Sequence, residues 1–167
     1  YAVLRFEASK PIHFDQQMRY EGYDDGKYLG LYRRNKDNTR EIILFEDAIK
    51  LEATYCEEYA VYDNEYLENL IWKVIIHEYA HAMMDTLQDD KIKSQDPKLY
   101  KYREESLANA FALRTLKSEG NYFGQIKKFV KSQPEEYQHG LVLYKSKDLL
   151  KMMEFWREMK ISADKIF

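Results

Sequence analysis

The sequence predicts an α+β domain, a small, mainly antiparallel N-terminal sheet packed on a helical part. Three observations carry that expectation. The first third is rich in β-forming residues, apolar residues recur at three- and four-residue spacing from about Asn64, and no repeat, low-complexity tract or linker separates the two regions. A chain of 167 residues suffices for one core and is short for two. Residues 1–167 are therefore read as a single domain, mainly β over 1–62 and mainly α over 63–167.

Strands are expected at Tyr1 to Phe6, Gly26 to Arg34 and Arg40 to Phe45. The polar cluster Asn35-Lys36-Asp37-Asn38 joins the last two as a hairpin, and Asp24-Asp25-Gly26 marks another turn. From Asn64, with Asp63 or Asn64 as cap, Leu67, Leu70, Ile71, Val74 and Ile75 define one helical face. Residues 88–99, containing Asp89-Asp90, Ser94 and Asp96-Pro97, read as a loop. A second helix runs from about Tyr102 to Leu116, with Leu107, Ala108, Phe111, Ala112 and Thr115 as its apolar stripe and Gly120 ending it. Ser132-Gln133-Pro134-Glu135 has the pattern of a capping box opening a third helix. Ser146 to about Lys160 forms a fourth, with Leu149, Leu150, Met153 and Trp156 inward.

Composition removes several classes of function. An apolar fraction of 45% with 33% charged residues belongs to an ordinary globular protein. A net charge of −3 provides no basic field for nucleic acid or an acidic membrane surface. Val74-Ile75-Ile76, the longest apolar run near the charged centre of the first helix, is far too short to span a bilayer. The lone Cys56 rules out an internal disulfide and reads as a small buried thiol, so any metal site must use histidines and carboxylates. No signal peptide is visible, and a chain opening on Tyr1 rather than Met reads as truncated, which leaves compartment and oligomeric state open.

The chemistry sits in His77-Glu78-Tyr79-Ala80-His81. Four residues turn a helix by roughly 400°, so both imidazoles leave one face a turn apart, the spacing of two nitrogen ligands on one tetrahedral zinc ion. Glu78, rotated by about 100°, misses the metal yet can reach a water beside it, as a general base requires. The apolar flanks Trp72, Val74, Ile75, Ile76, Ala82, Met83 and Met84 predict a helix buried on its back. A catalytic zinc site takes three protein ligands and keeps one open position. Asp85 and Asp89 lie on or just past the same helix, whereas Glu104 and Glu105 lie on the second. Glu105 is preferred as the third ligand, because Asn109 one turn on can bond a ligand histidine through its amide; Glu104 is expected to face solvent.

The pattern His77-Glu78-xx-His81 followed by Glu105-xxx-Asn109 resembles the gluzincin zinc peptidases, whose glutamate ligand is followed four residues later by Asp, Asn or Glu. Glu105 to Ala112 is similar both to the ImmA/IrrE-type peptidases and to the catalytic domain of anthrax lethal factor. The resemblance covers roughly residues 70–116. It implies a zincin-like fold, Zn2+ held by His77, His81 and Glu105, and Glu78 as base. By the same analogy, Arg40 to Phe45 becomes the edge strand on which an extended peptide would pair. Its imperfect alternation fits a strand buried on both faces equally well.

The function expected is zinc-dependent endopeptidase cleavage of a peptide or protein substrate. Two rivals remain: a regulatory or toxin-like module that cleaves one dedicated partner, and a non-catalytic zinc-binding interaction domain. Glu78 argues against the last, since a structural site needs ligands but no base. For a donor to the oxyanion on the attacked carbonyl, the candidates are His139 in Tyr137-Gln138-His139-Gly140, and Tyr100 and Tyr102 just before the third ligand. His139 also fits a surface or packing role, and His13 reads as structural.

Overall fold

The computed structural model describes residues 2–7, 29–55, 64–119 and 122–162. His13, Asp24-Asp25-Gly26, Cys56, Asp63 and Gly120, all assigned roles above, lie outside them. The architecture is α+β, and the chain divides into two compact units, Tyr1–Ile75 and Ile76–Phe167.

In the first unit, β1 (Ala2–Glu7), β2 (Gly30–Arg34) and β3 (Arg40–Phe45) form a sheet of order β1-β3-β2. The expected hairpin joins β2 to β3 in antiparallel register, Arg33 opposite Glu41 and Leu31 opposite Ile43. Its turn is made by the polar cluster. Asn38 takes φ 63°, a left-handed conformation that Asn tolerates, and the Asp37 carboxylate accepts from both the backbone and the hydroxyl of Thr39.

Two expectations fail here. β1 pairs with β3 in parallel, so the sheet is mixed rather than mainly antiparallel. And β3 is the central strand, paired on both sides, which overturns its reading as the edge open to a peptide. The physical reason was in its composition. Ile42, Ile43 and Leu44 are consecutive and all buried, so side chains leaving both faces are covered, which suits a middle strand. The charged residue in that run, Glu41, is buried too, and its carboxylate is held by Arg33 on β2 at 2.6 Å and Arg5 on β1 at 3.1 Å. After β3 the chain enters a helix that the sequence reading left unassigned, α1 (Glu46–Tyr55). Glu46 and Asp47 favour its N-terminal dipole, and Ile49 and Ala53 are buried.

Helix α2 (Asn64–Met84) starts where its periodicity predicts and runs for about 32 Å. Tyr66, Leu67, Leu70 and Val74 are buried along its first half, then His77, Glu78, Ala80 and Met84 along its second. Its apolar flanks are not all inward, since Trp72 and Met83 are exposed.

The second unit is built around α4 (Pro97–Leu116), which packs against α3 (Asp89–Gln95), α5 (Phe123–Ser132), α6 (Glu135–Gln138), α7 (Gly140–Leu143) and α8 (Leu149–Ser162). The loop expected over 88–99 is thus mostly helical. Asp96 accepts from the Leu99 backbone N–H at 3.0 Å and Pro97 takes the first helical position, so the pair that reads as a loop signal is a helix start, five residues before Tyr102. Ala108, Ala110 and Ala112 on α4 are fully buried, and small side chains let neighbouring helices approach closely. Of its expected stripe, Thr115 is exposed. Ser132 closes α5 instead of capping a third helix, its hydroxyl donating back to the Phe129 carbonyl at 2.7 Å. On α8, Leu149, Met153 and Trp156 point inward as expected, Leu150 is exposed, and Lys160 is fully buried. Among the described residues no helix is long and apolar enough to cross a membrane.

Candidate metal centre

All groups of the site belong to the second unit. His77 and His81 stand one turn apart on α2 with their Nε2 atoms 3.2 Å from each other. Glu105 of α4 closes the triangle, its Oε2 lying 3.0 Å from His77 Nε2 and 3.4 Å from His81 Nε2. Ligand atoms of a tetrahedral ion bound at about 2.0–2.1 Å stand about 3.3 Å apart. The three edges therefore match one face of such a tetrahedron. Two imidazole nitrogens this close, each with a lone pair, also need a proton or a cation between them. His77, His81 and Glu105 are the group that could hold a metal ion among the described residues, and Glu105 rather than Glu104 supplies its carboxylate.

The electrostatics of the triangle are mutual. Burial alone would hold the His81 imidazole neutral, but the Glu105 charge, the close approach of the Glu104 and Glu105 carboxylates, and the Glu78 charge outweigh it and raise its pKa well above the usual 6.5. Burial likewise opposes ionisation of Glu105, yet His81 and His77 hold its carboxyl far below the usual range. Glu105 thus brings one negative charge to the donor set, and a cation bound there would have to take the place of the proton on His81. Glu78 is itself buried, and its charge reaches both His81 and Tyr137.

Tyr137 is the residue that sequence reasoning missed. Its ring lies 5.9 Å from that of His77. Burial, then the charges of Glu105, Glu78 and Glu136, push its hydroxyl pKa far up, so it stays a proton donor at every working pH. Two buried polar residues of α4 hold its backbone. Ser106 Oγ donates to the Glu136 carbonyl at 2.9 Å and Asn109 Nδ2 to the Tyr137 carbonyl at 2.9 Å. Lys101 pairs with Glu136 at 2.8 Å beside them. Gly140 then lies so close to α4 that a Cβ there would stand 2.9 Å from both the Ala110 nitrogen and Asn109 Cβ. The only sequence hint was the adjacency of Tyr137 to His139, and one tyrosine among fifteen has no distinguishing spacing.

The other candidates make contacts of their own. Asn109 was expected to bond a ligand histidine through its amide; its Nδ2 donates to the Tyr137 carbonyl, so Asn109 holds the segment carrying Tyr137, while its Oδ1 is buried with no hydrogen-bond partner among the described residues. His139 and Tyr102 face each other with ring centroids 5.3 Å apart. Tyr100 donates to Asp89 Oδ2 at 3.2 Å, and its ring sits 6.1 Å from Trp156. Glu104, expected in solvent, is buried against α8, where Oε1 accepts from Trp156 Nε1 at 2.8 Å and from Lys160 Nζ at 2.5 Å. A carboxylate neighbouring a ligand reads as solvated by default, and its partners lie more than fifty residues downstream.

Comparison of the chain with family models, curated proteins and solved structures gives no match.

Proposed function

We propose that this chain is a zinc-dependent endopeptidase with a zincin-like fold. The observation that carries the reading is the triangle of His77 Nε2, His81 Nε2 and Glu105 Oε2, with edges of 3.0, 3.2 and 3.4 Å. Two imidazoles and one carboxylate form a donor set that suits zinc, leaving a fourth position open for chemistry. The resemblance of His77-Glu78-xx-His81 and Glu105-xxx-Asn109 to the gluzincins adds to that reading and supplies the reaction class.

Zinc in such a site contributes Lewis acidity, which polarises a scissile carbonyl and acidifies a neighbouring water. The chain's own groups do the rest. Glu78, buried beside the ligands, accepts a proton from the attacking water at its carboxylate and passes it to the leaving amine. The Tyr137 hydroxyl, kept protonated by burial and by the charges of Glu105 and Glu78, donates a hydrogen bond to the oxyanion as it forms. A purely structural site would have no use for Glu78, which is why the non-catalytic reading is the weaker one.

The test is zinc content and hydrolysis of a mixed peptide library by the wild type and Glu78→Gln. The variant deletes a base and no ligand. It should keep its zinc and lose hydrolysis by about 10²–10⁴-fold. Equal turnover by the two proteins would remove the catalytic assignment even with zinc bound.

A further inference from the structure

We propose that Lys160, near the C-terminal end of α8, is a positioning residue for the metal centre: it fixes the Glu104 carboxylate, and Glu104 fixes the ring of His81. The inference rests on the reading of His77, His81 and Glu105 as zinc ligands.

Lys160 is fully buried, and an ammonium inside a fold needs a reason. Its Nζ lies 2.5 Å from Glu104 Oε1 and 3.0 Å from Asp89 Oδ1, beneath the faces of Tyr100 and Trp156 at 5.6 and 5.8 Å. Trp156, one turn earlier on the same helix, donates its indole N–H to the same Oε1. Two donors from α8 thus fix one oxygen of Glu104 and set the plane of the carboxylate.

The other oxygen is directed at the metal centre. Glu104 Oε2 is buried, accepts no hydrogen bond among the described residues, and faces His81 Nδ1 at 3.6 Å. His81 uses its opposite nitrogen, Nε2, in the ligand triangle. An imidazole that binds metal through Nε2 carries its proton on Nδ1, and a carboxylate accepting a hydrogen bond from that N–H fixes tautomer and ring orientation together. Glu104 stands where that acceptor is needed. An apolar side chain in place of Lys160 could fill the same volume, and buried ion pairs are often no more stable than apolar replacements. What an apolar residue could not do is hold the carboxylate in one orientation. Asp89 separates the two roles. It pairs with Lys160 and is held by Thr86 and Tyr100, and none of these contacts reaches His77, His81 or Glu105.

The experiment measures zinc affinity of the wild type, Lys160→Met, Glu104→Gln and Asp89→Asn by competition with a chromophoric chelator at neutral pH. It adds the visible spectrum of each protein loaded with cobalt, and thermal unfolding as a check on the fold. Lys160→Met and Glu104→Gln should each bind zinc about 10–100-fold more weakly than wild type and shift the cobalt bands. Asp89→Asn should melt lower yet keep wild-type zinc affinity and spectrum. If Lys160→Met does not fold, Glu104→Gln, of nearly the same size, still decides. Wild-type affinity and spectrum in the folded variants would overturn the proposal, as would an equal loss of affinity in Asp89→Asn, which would make the network merely structural. A wild type that binds no zinc at all would instead remove the metal reading itself, and this inference with it.

Discussion

His81 sits among three carboxylates, Glu78, Glu104 and Glu105, that together favour its protonated form against the cost of burial. Its folded pKa is therefore raised above the unfolded value of 6.5. The stability it contributes is fully present below that value and is lost as pH rises through the folded pKa. A metal needs the same nitrogen without its proton, so zinc and proton compete for it. Zinc should consequently raise the melting temperature more at pH 8 than at pH 6, measured as the difference between melts with and without the ion. An equal or smaller shift at pH 8 would show that His81 is not displaced from its proton by metal. Tyr137 makes a separate demand at the same scale. Tyr137→Phe removes one donor and no ligand, so zinc binding should be unchanged while kcat falls by about 10²–10³-fold. Loss of zinc with the hydroxyl would assign Tyr137 to the ligand set instead.

Individual elements differ in how plainly the sequence announces them. The helix carrying His77 and His81 is legible because apolar residues at regular spacing and two histidines four apart point to one structure. The start of α4 is misread because Asp96-Pro97 signals a turn and a helix N-terminus with the same two residues; only the bond from Leu99 N–H decides between them. The short helices α6 and α7 offer no periodicity, yet they carry Tyr137 and owe their place to contacts with α4. Gly140 shows how tight that contact is. In Gly140→Ala the new methyl meets the Ala110 nitrogen at 2.9 Å, and a helix backbone cannot step aside without moving its neighbours. The expected cost is about 1–3 kcal/mol. Each kcal/mol lowers the melting temperature by about 2–4 °C in a chain of this size, and hydrolysis should fall with it as Tyr137 is displaced. A variant that melts and cleaves like wild type would mean that α7 does not position the tyrosine.

At the scale of the molecule, the sequence reading recovers the α+β class, the β2–β3 hairpin and the three groups of the candidate metal site. What it misses are pairings between distant residues. Nothing local in Glu104 indicates Trp156 and Lys160, and nothing local in β3 states that β1 will flank it in parallel. In both compact units a buried carboxylate is matched by cations on other elements, Glu41 by Arg5 and Arg33, Glu104 by Lys160. Such matches appear only when the chain is folded. That His77, His81 and Glu105 together hold one zinc ion is tested by metal analysis of chain purified without chelator. The wild type should contain about one zinc per chain with nitrogen and oxygen ligands at about 2.0–2.2 Å by X-ray absorption, and His77→Ala should contain almost none. Substoichiometric zinc in the wild type that added metal cannot restore at neutral pH, or full zinc retained in His77→Ala, would contradict it.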